Sequence, residues 1–138
     1  MVIARLRKAG LRPTRQRVAL ATLLFGEGQR HVTAEELHDE ALRSRLPVSL
    51  ATVYNTLNQF TDAGLLREVA IEGQRSYFDT NTSNHFHFYL ESERKLFDIP
   101  GDDLQVSGLP ELPQGTRIRR VDVIVRLEEA NGAGAKAR

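Results

Sequence analysis

The sequence predicts an α+β fold in two parts, and three observations carry that prediction. Capped helical segments follow one another up to Gly64, two short apolar runs flanking a Gly-containing turn come next, and from Asn81 onward the apolar residues alternate with a period of two. A chain of 138 residues with 41% hydrophobic and 27% charged residues buries one ordinary core, or two small ones sharing a hinge. A two-part arrangement therefore leans on self-association for further burial.

The elements follow in order. Pro13 disfavours helical backbone just before it and so ends a first short helix. Thr14 then caps a second, which runs to about Phe25 with Val18, Ala21 and Phe25 facing inward, and Gly26 and Gly28 close it. Thr33-Ala34-Glu35-Glu36 is a capping box, in which the threonine accepts from the third backbone N–H and Glu36 reaches back to the cap. The third helix should extend to about Leu46, burying Ala34, Leu37 and Ala41. Pro47-Val48 breaks it and Ser49 caps a fourth, along which Leu50, Val53, Leu57 and Phe60 form a narrow apolar stripe ending at Gly64. Leu65 to Ile71 and Arg75 to Asp79, joined by Glu72-Gly73-Gln74, read as a hairpin. Helices and a hairpin in this order make a winged helix-turn-helix over residues 1–80.

Residues 81–129 should form a small α/β dimerisation domain. His85 to Leu90 alternates, Lys95 to Ile99 is a short partner, and Arg117 to Leu127 alternates over a longer span after a loop rich in Gly and Pro. The tail 130–138 has nothing to pack and is expected to be disordered.

Several classes are excluded. There is no run of eighteen apolar residues, and the start, Met1-Val2-Ile3-Ala4-Arg5, is charged too soon for a signal-peptide core, so a cytoplasmic chain with no membrane partner is expected. Without cysteine there can be no disulfide, thiolate zinc, Fe–S cluster or cysteine nucleophile. Any metal must be held by nitrogen and oxygen.

The net charge of +1 hides an asymmetry: Arg5, Arg7, Lys8, Arg12, Arg15 and Arg17 fall in a stretch with no acidic residue, which a phosphate backbone would attract. Opposite the apolar stripe of the fourth helix lie Ala51, Thr52, Asn55, Asn58 and Gln59, with Tyr54 on the flank and Ser49 at the start. A small, hydrogen-bonding, uncharged face suits the major groove, where amides pair with adenine edges and carbons touch thymine methyls. Phosphate contacts are expected from Arg12, Arg15, Arg17 and Arg75. One such module covers only about 600 to 1,000 Å², so a homodimer on palindromic double-stranded DNA is expected.

In an alternating strand His85, His87, Tyr89 and Glu91 share one face, so the two histidines could converge on one ion. His31, before the capped third helix, and Asp79 and Asp98, at strand ends, are the further ligand candidates. Three histidines and two carboxylates suit Fe(II), Mn(II) or Zn(II). His38 fits no such cluster. A small metalloenzyme built on His85, His87 and a carboxylate is the rival from another class, but it leaves the first eighty residues without a purpose, and no enzyme is expected.

Gly10-Leu11-Arg12-Pro13-Thr14-Arg15-Gln16-Arg17, His31-Val32-Thr33-Ala34-Glu35-Glu36-Leu37 and Ser49-Leu50-Ala51-Thr52-Val53-Tyr54-Asn55-Thr56-Leu57 resemble the ferric uptake regulator superfamily. Within it the chain is most similar to the iron response regulators of alphaproteobacteria, through Asn58-Gln59-Phe60, Tyr77-Phe78-Asp79-Thr80-Asn81 and Val121-Asp122-Val123-Ile124-Val125-Arg126-Leu127. The resemblance implies a dimeric repressor, with dimers able to pair into tetramers, and a regulatory metal site at His31, Asp79, His85, His87 and Asp98. Leu90 and Glu93 stand where many members carry a cysteine pair, so a structural cysteine zinc site is absent; Asn84 and Phe86 argue against a second site in the dimerisation domain. Similarity to the iron response regulators further implies haem as the signal, with His85 or His87 as axial ligand, and operator binding when iron is scarce. The alternative inside the superfamily is a peroxide-responsive or Fe(II)/Mn(II)-corepressed repressor.

Overall fold

The computed structural model describes residues 1–72 and 75–130; the turn at Gly73-Gln74 and the tail from Asn131 lie outside the described residues. The chain divides into two compact units, Met1–Thr82 and Ser83–Arg138.

The first unit contains α1 (Val2–Lys8), α2 (Arg15–Phe25), β1 (His31–Val32), α3 (Ala34–Arg43), α4 (Leu50–Asp62), β2 (Arg67–Glu72) and β3 (Arg75–Asp79). Its three long helices each start on a hydroxyl cap. Thr14 Oγ1 accepts from Arg17 N at 3.3 Å and Ser49 Oγ from Thr52 N at 3.1 Å. At α3 the full capping box forms, Thr33 Oγ1 accepting from Glu36 N at 3.1 Å and Glu36 Oε1 from Thr33 N at 2.9 Å. Each satisfies backbone donors that would otherwise be orphaned and contributes about 1 kcal/mol. The strands form an antiparallel sheet in the order β1-β3-β2, irregular between Ala70 and Glu72.

The core of this unit gathers Leu6 of α1, Leu20, Ala21 and Leu24 of α2, Leu37 and Ala41 of α3, Val53, Leu57 and Phe60 of α4, and Phe78 of β3. Val18, Phe25 and Leu50, expected to face inward, pack against it half-buried.

The expected end of α3 at Leu46 is corrected to Arg43. The chain leaves the helix through Arg45 in the left-handed region (φ 61°), and Leu46 N returns to Ala41 O at 2.8 Å, while Arg45 N donates to Leu42 O at 3.0 Å. This is a Schellman closure. It is required here because Pro47 bars helical backbone at Leu46. The same closure ends α4, with Gly64 at φ 84° and Leu65 N bonded to Phe60 O.

The second unit holds β4 (Phe86–Leu90), β5 (Lys95–Ile99), a 3-10 turn at Gly101–Asp103 and β6 (Ile124–Leu127), in a sheet of order β5-β4-β6. The α+β architecture is the one expected, but the helical part of this unit is reduced, among the described residues, to that single turn. The long strand expected from Arg117 is corrected as well. β6 exists only where β4 lies beside it, His87 opposite Ile124 through Leu90 opposite Leu127 in parallel register, with the His87 N–H also reaching Val123 O; among the described residues no paired strand covers the earlier part of the alternating run. β5 pairs antiparallel with β4, setting His87 opposite Asp98 and Phe88 opposite Phe97.

Candidate metal centre and nucleic-acid face

In the second unit the ligand candidates meet. His87 and Asp98 are cross-strand partners on one face of the sheet, and His85, two residues earlier, lies on the same side. The two imidazole rings are 4.6 Å apart. His87 Nε2 lies 3.4 Å and His85 Nε2 3.7 Å from the same oxygen, Asp98 Oδ1. These separations exceed an ordinary N–H···O hydrogen bond. They match the spacing of ligands around an ion, since two ligands about 2.1 Å from a tetrahedral centre stand about 3.4 Å apart.

The protonation pattern agrees. His85 Nδ1 is 2.8 Å from the Ser83 carbonyl, which can only accept, so Nδ1 bears a hydrogen and Nε2 is the ring nitrogen turned toward Asp98. Both histidines are almost entirely buried, at 4% and 1% exposure, while Asp98 keeps solvent access. Two imidazoles and one carboxylate form a donor set for Fe(II), Mn(II) or Zn(II).

His31 and Asp79, the other two expected ligands, belong to the first unit. They are register partners on β1 and β3. Asp79 is 1% exposed and its Oδ1 accepts from Asn81 N at 2.9 Å; the His31 ring stands edge-on to Tyr77. Sequence reasoning missed the residue that holds this ladder. The Arg30 backbone is tied to Thr80 by N–H to Oγ1 at 2.9 Å and by Thr80 N to Arg30 O at 2.9 Å. Its guanidinium donates to the Leu23 carbonyl at 3.2 Å, to Glu40 Oε1 at 3.0 Å and to Glu40 Oε2. The hydrogen bond to Glu40 raises its pKa further above the ordinary arginine value. An arginine beside His31 at the end of a loop gives no pattern that would have marked it.

The polar face that the helical wheel gives α4 is largely open to solvent. Ala51, Asn55, Asn58 and Gln59 are exposed, Thr52 and Tyr54 half-buried. Three expected DNA contacts have intramolecular roles here. Ser49 Oγ serves the cap and also donates to Thr52 Oγ1 at 3.0 Å. Tyr54 OH donates to Glu35 Oε2 at 3.0 Å, tying α4 to α3, and partial burial followed by that bond raises its pKa above 10.0. Arg17 donates to Gln59 Oε1 and to the Arg12 carbonyl. Arg12, Arg15 and Arg75 are exposed. His38, outside both sites, bonds Val48 O through Nε2 at 3.1 Å and steadies the segment leading to α4.

The profile of the Ferric uptake regulator family matches residues 8–123. The Peroxide-responsive repressor PerR of Staphylococcus epidermidis is 42% identical over 98 residues, covering 70% of this chain and 64% of that protein. The Staphylococcus aureus PerR is 41% identical over 98 residues, covering 70% and 65%. The chain thus matches just under two thirds of the length of these relatives. Among solved structures, the Vibrio cholerae ferric uptake regulator superposes with a TM-score of 0.72 at 24% identity, over 91% of this chain and 98% of that one. The Pseudomonas aeruginosa ferric uptake regulator with manganese superposes at 0.69 and 22% identity, over 94% and 98%. At such identities the likeness is one of fold.

Proposed function

This chain belongs to the ferric uptake regulator family, whose members are transcription regulators rather than enzymes, and from that premise we propose that it is a metal-responsive repressor binding A·T-rich palindromic DNA as a homodimer. The observation that carries the metal-responsive part is the meeting of His85 Nε2 and His87 Nε2 at Asp98 Oδ1. Family resemblance adds His31 and Asp79 to the same regulatory site. A divalent ion supplies charge and directional coordination there. Five residues sharing one ion favour whichever arrangement of the two units lets them converge, and DNA affinity follows by linkage. α4 reads bases through Ala51, Thr52, Asn55 and Asn58, while Arg12, Arg15 and Arg75 face phosphates.

Two signals compete beyond the metal itself. Similarity to the iron response regulators favours haem and iron status, with His85 or His87 as axial ligand. The burial of both rings works against that, because a macrocycle needs an open face beside its ligand. The name of the staphylococcal relatives, at about two fifths identity, favours peroxide instead. Fluorescence anisotropy of an A·T-rich duplex separates these. Binding should require or be strengthened by Mn(II); a loss on adding haem supports the iron-response reading, and a loss on adding peroxide to the Fe(II) protein supports the other. Indifference to every metal would overturn the metal-responsive reading.

A further inference from the structure

Resting on the reading that α4 enters DNA, we infer that Arg17 is a positioning residue rather than a phosphate contact, and that it turns Gln59 into a donor-only reader of base-edge acceptors. Gln59 Oε1 receives Arg17 Nε–H at 3.2 Å and Nη2–H at 3.0 Å. An amide oxygen has two lone pairs, so this fork saturates it. The remaining arm of the guanidinium, Nη1, donates to the Arg12 carbonyl at 3.0 Å. One planar group thereby ties α4 to the first turn of α2 and to the segment before it. That segment also bears Arg12, an exposed candidate for the DNA backbone.

The consequence is a matter of donor and acceptor counting. Pairing glutamine with adenine needs an acceptor for the N6 amino group and a donor for N7. With Oε1 held by Arg17, Gln59 offers only its Nε2 hydrogens. It is therefore matched to acceptors alone, thymine O4, guanine O6 and N7 or adenine N7, and the two-bond adenine pairing that its residue type suggests does not apply. The fork also requires a guanidinium: a lysine at position 17 keeps the charge but cannot place two parallel donors on one oxygen and a third on Arg12.

The test uses the full Mn(II)-loaded chain, a duplex enriched by the wild-type protein from a randomised pool, and a scrambled duplex of the same composition. Affinities are measured over a salt series for Arg17→Lys, Gln59→Ala, Gln59→Glu and the Arg17→Lys/Gln59→Ala double variant, with thermal unfolding alongside. Arg17→Lys and Gln59→Ala, which keep the net charge, should each lower the preference for the enriched duplex about three- to tenfold, with salt slope and melting temperature unchanged. The double variant should lose no more than Gln59→Ala alone, the signature of a coupled pair. Gln59→Glu, which keeps the pairing with Arg17 but lacks the donors, should lose as much as the alanine.

Retention of the preference by Arg17→Lys overturns the inference, as do additive losses, or an equal loss on both duplexes. Enrichment of no duplex by the wild type overturns the DNA-binding reading itself, and this inference with it.

Discussion

A single hydrogen bond decides how His85 can act. Because His85 Nδ1–H donates to Ser83 O, the ring presents Nε2 toward Asp98 Oδ1, where His87 Nε2 also arrives. If these atoms hold an ion, His87→Ala should weaken Mn(II) binding more than about 100-fold by isothermal titration, since even the outer-shell partners of a ligand are worth 10 to 100-fold. Unchanged affinity would remove His87 from the site. Tyr54 offers a test by pH. Its folded-state pKa lies above the unfolded value of 10.0, first through burial and then through the bond to Glu35. The stabilisation is therefore complete below pH 10.0 and is lost as pH rises through the folded value, because the unfolded chain releases the proton first. The melting-temperature difference between wild type and Tyr54→Phe should be constant below pH 10 and shrink above it. A difference that grew with alkalinity would mean the hydroxyl is not held protonated by the fold.

At the scale of elements, the caps were legible and the exits only partly so. Thr14, Thr33 and Ser49 cap the three long helices as their residue types require, because a hydroxyl before an apolar repeat has few other uses. Gly64 was legible for a comparable reason. Arg45 was not, since nothing about arginine announces a left-handed residue; the need arises from Pro47 downstream. Arg45→Gly should therefore stabilise the protein by up to about 1 kcal/mol in urea denaturation, the relief of strain exceeding the added freedom of the unfolded chain. A destabilised variant would mean that the arginine side chain contributes more than its backbone costs. In β4 the alternation placed His85, His87 and Tyr89 on one face correctly, but not which face would be buried. The histidine and tyrosine side is the buried one, while Phe86, Phe88 and Leu90 are only half-buried.

For the whole molecule that inversion points to association. Phe86, Phe88 and Leu90 share their face with Phe97, which is 39% exposed, and with Val125 and Leu127 of β6. An apolar sheet face left half open by its own chain is suited to a second copy. Sedimentation equilibrium should show a dimer, and Phe97→Asp should shift it toward monomer and weaken binding to a palindromic duplex. A wild-type monomer at micromolar concentration would place the interface elsewhere.

The sequence by itself determined the order of elements, the caps, the polar face of α4 and the identity of the nitrogen and oxygen donors, because each follows from local chemistry and from residues a turn or a pleat apart. Only the tertiary structure decided which donors meet, that Arg17 faces Gln59 rather than solvent, that Arg30 anchors the loop before His31, and how short β6 is. Those outcomes depend on partners up to 50 positions away in the chain, and a pattern that repeats every two or every 3.6 residues holds no record of contacts at such separations.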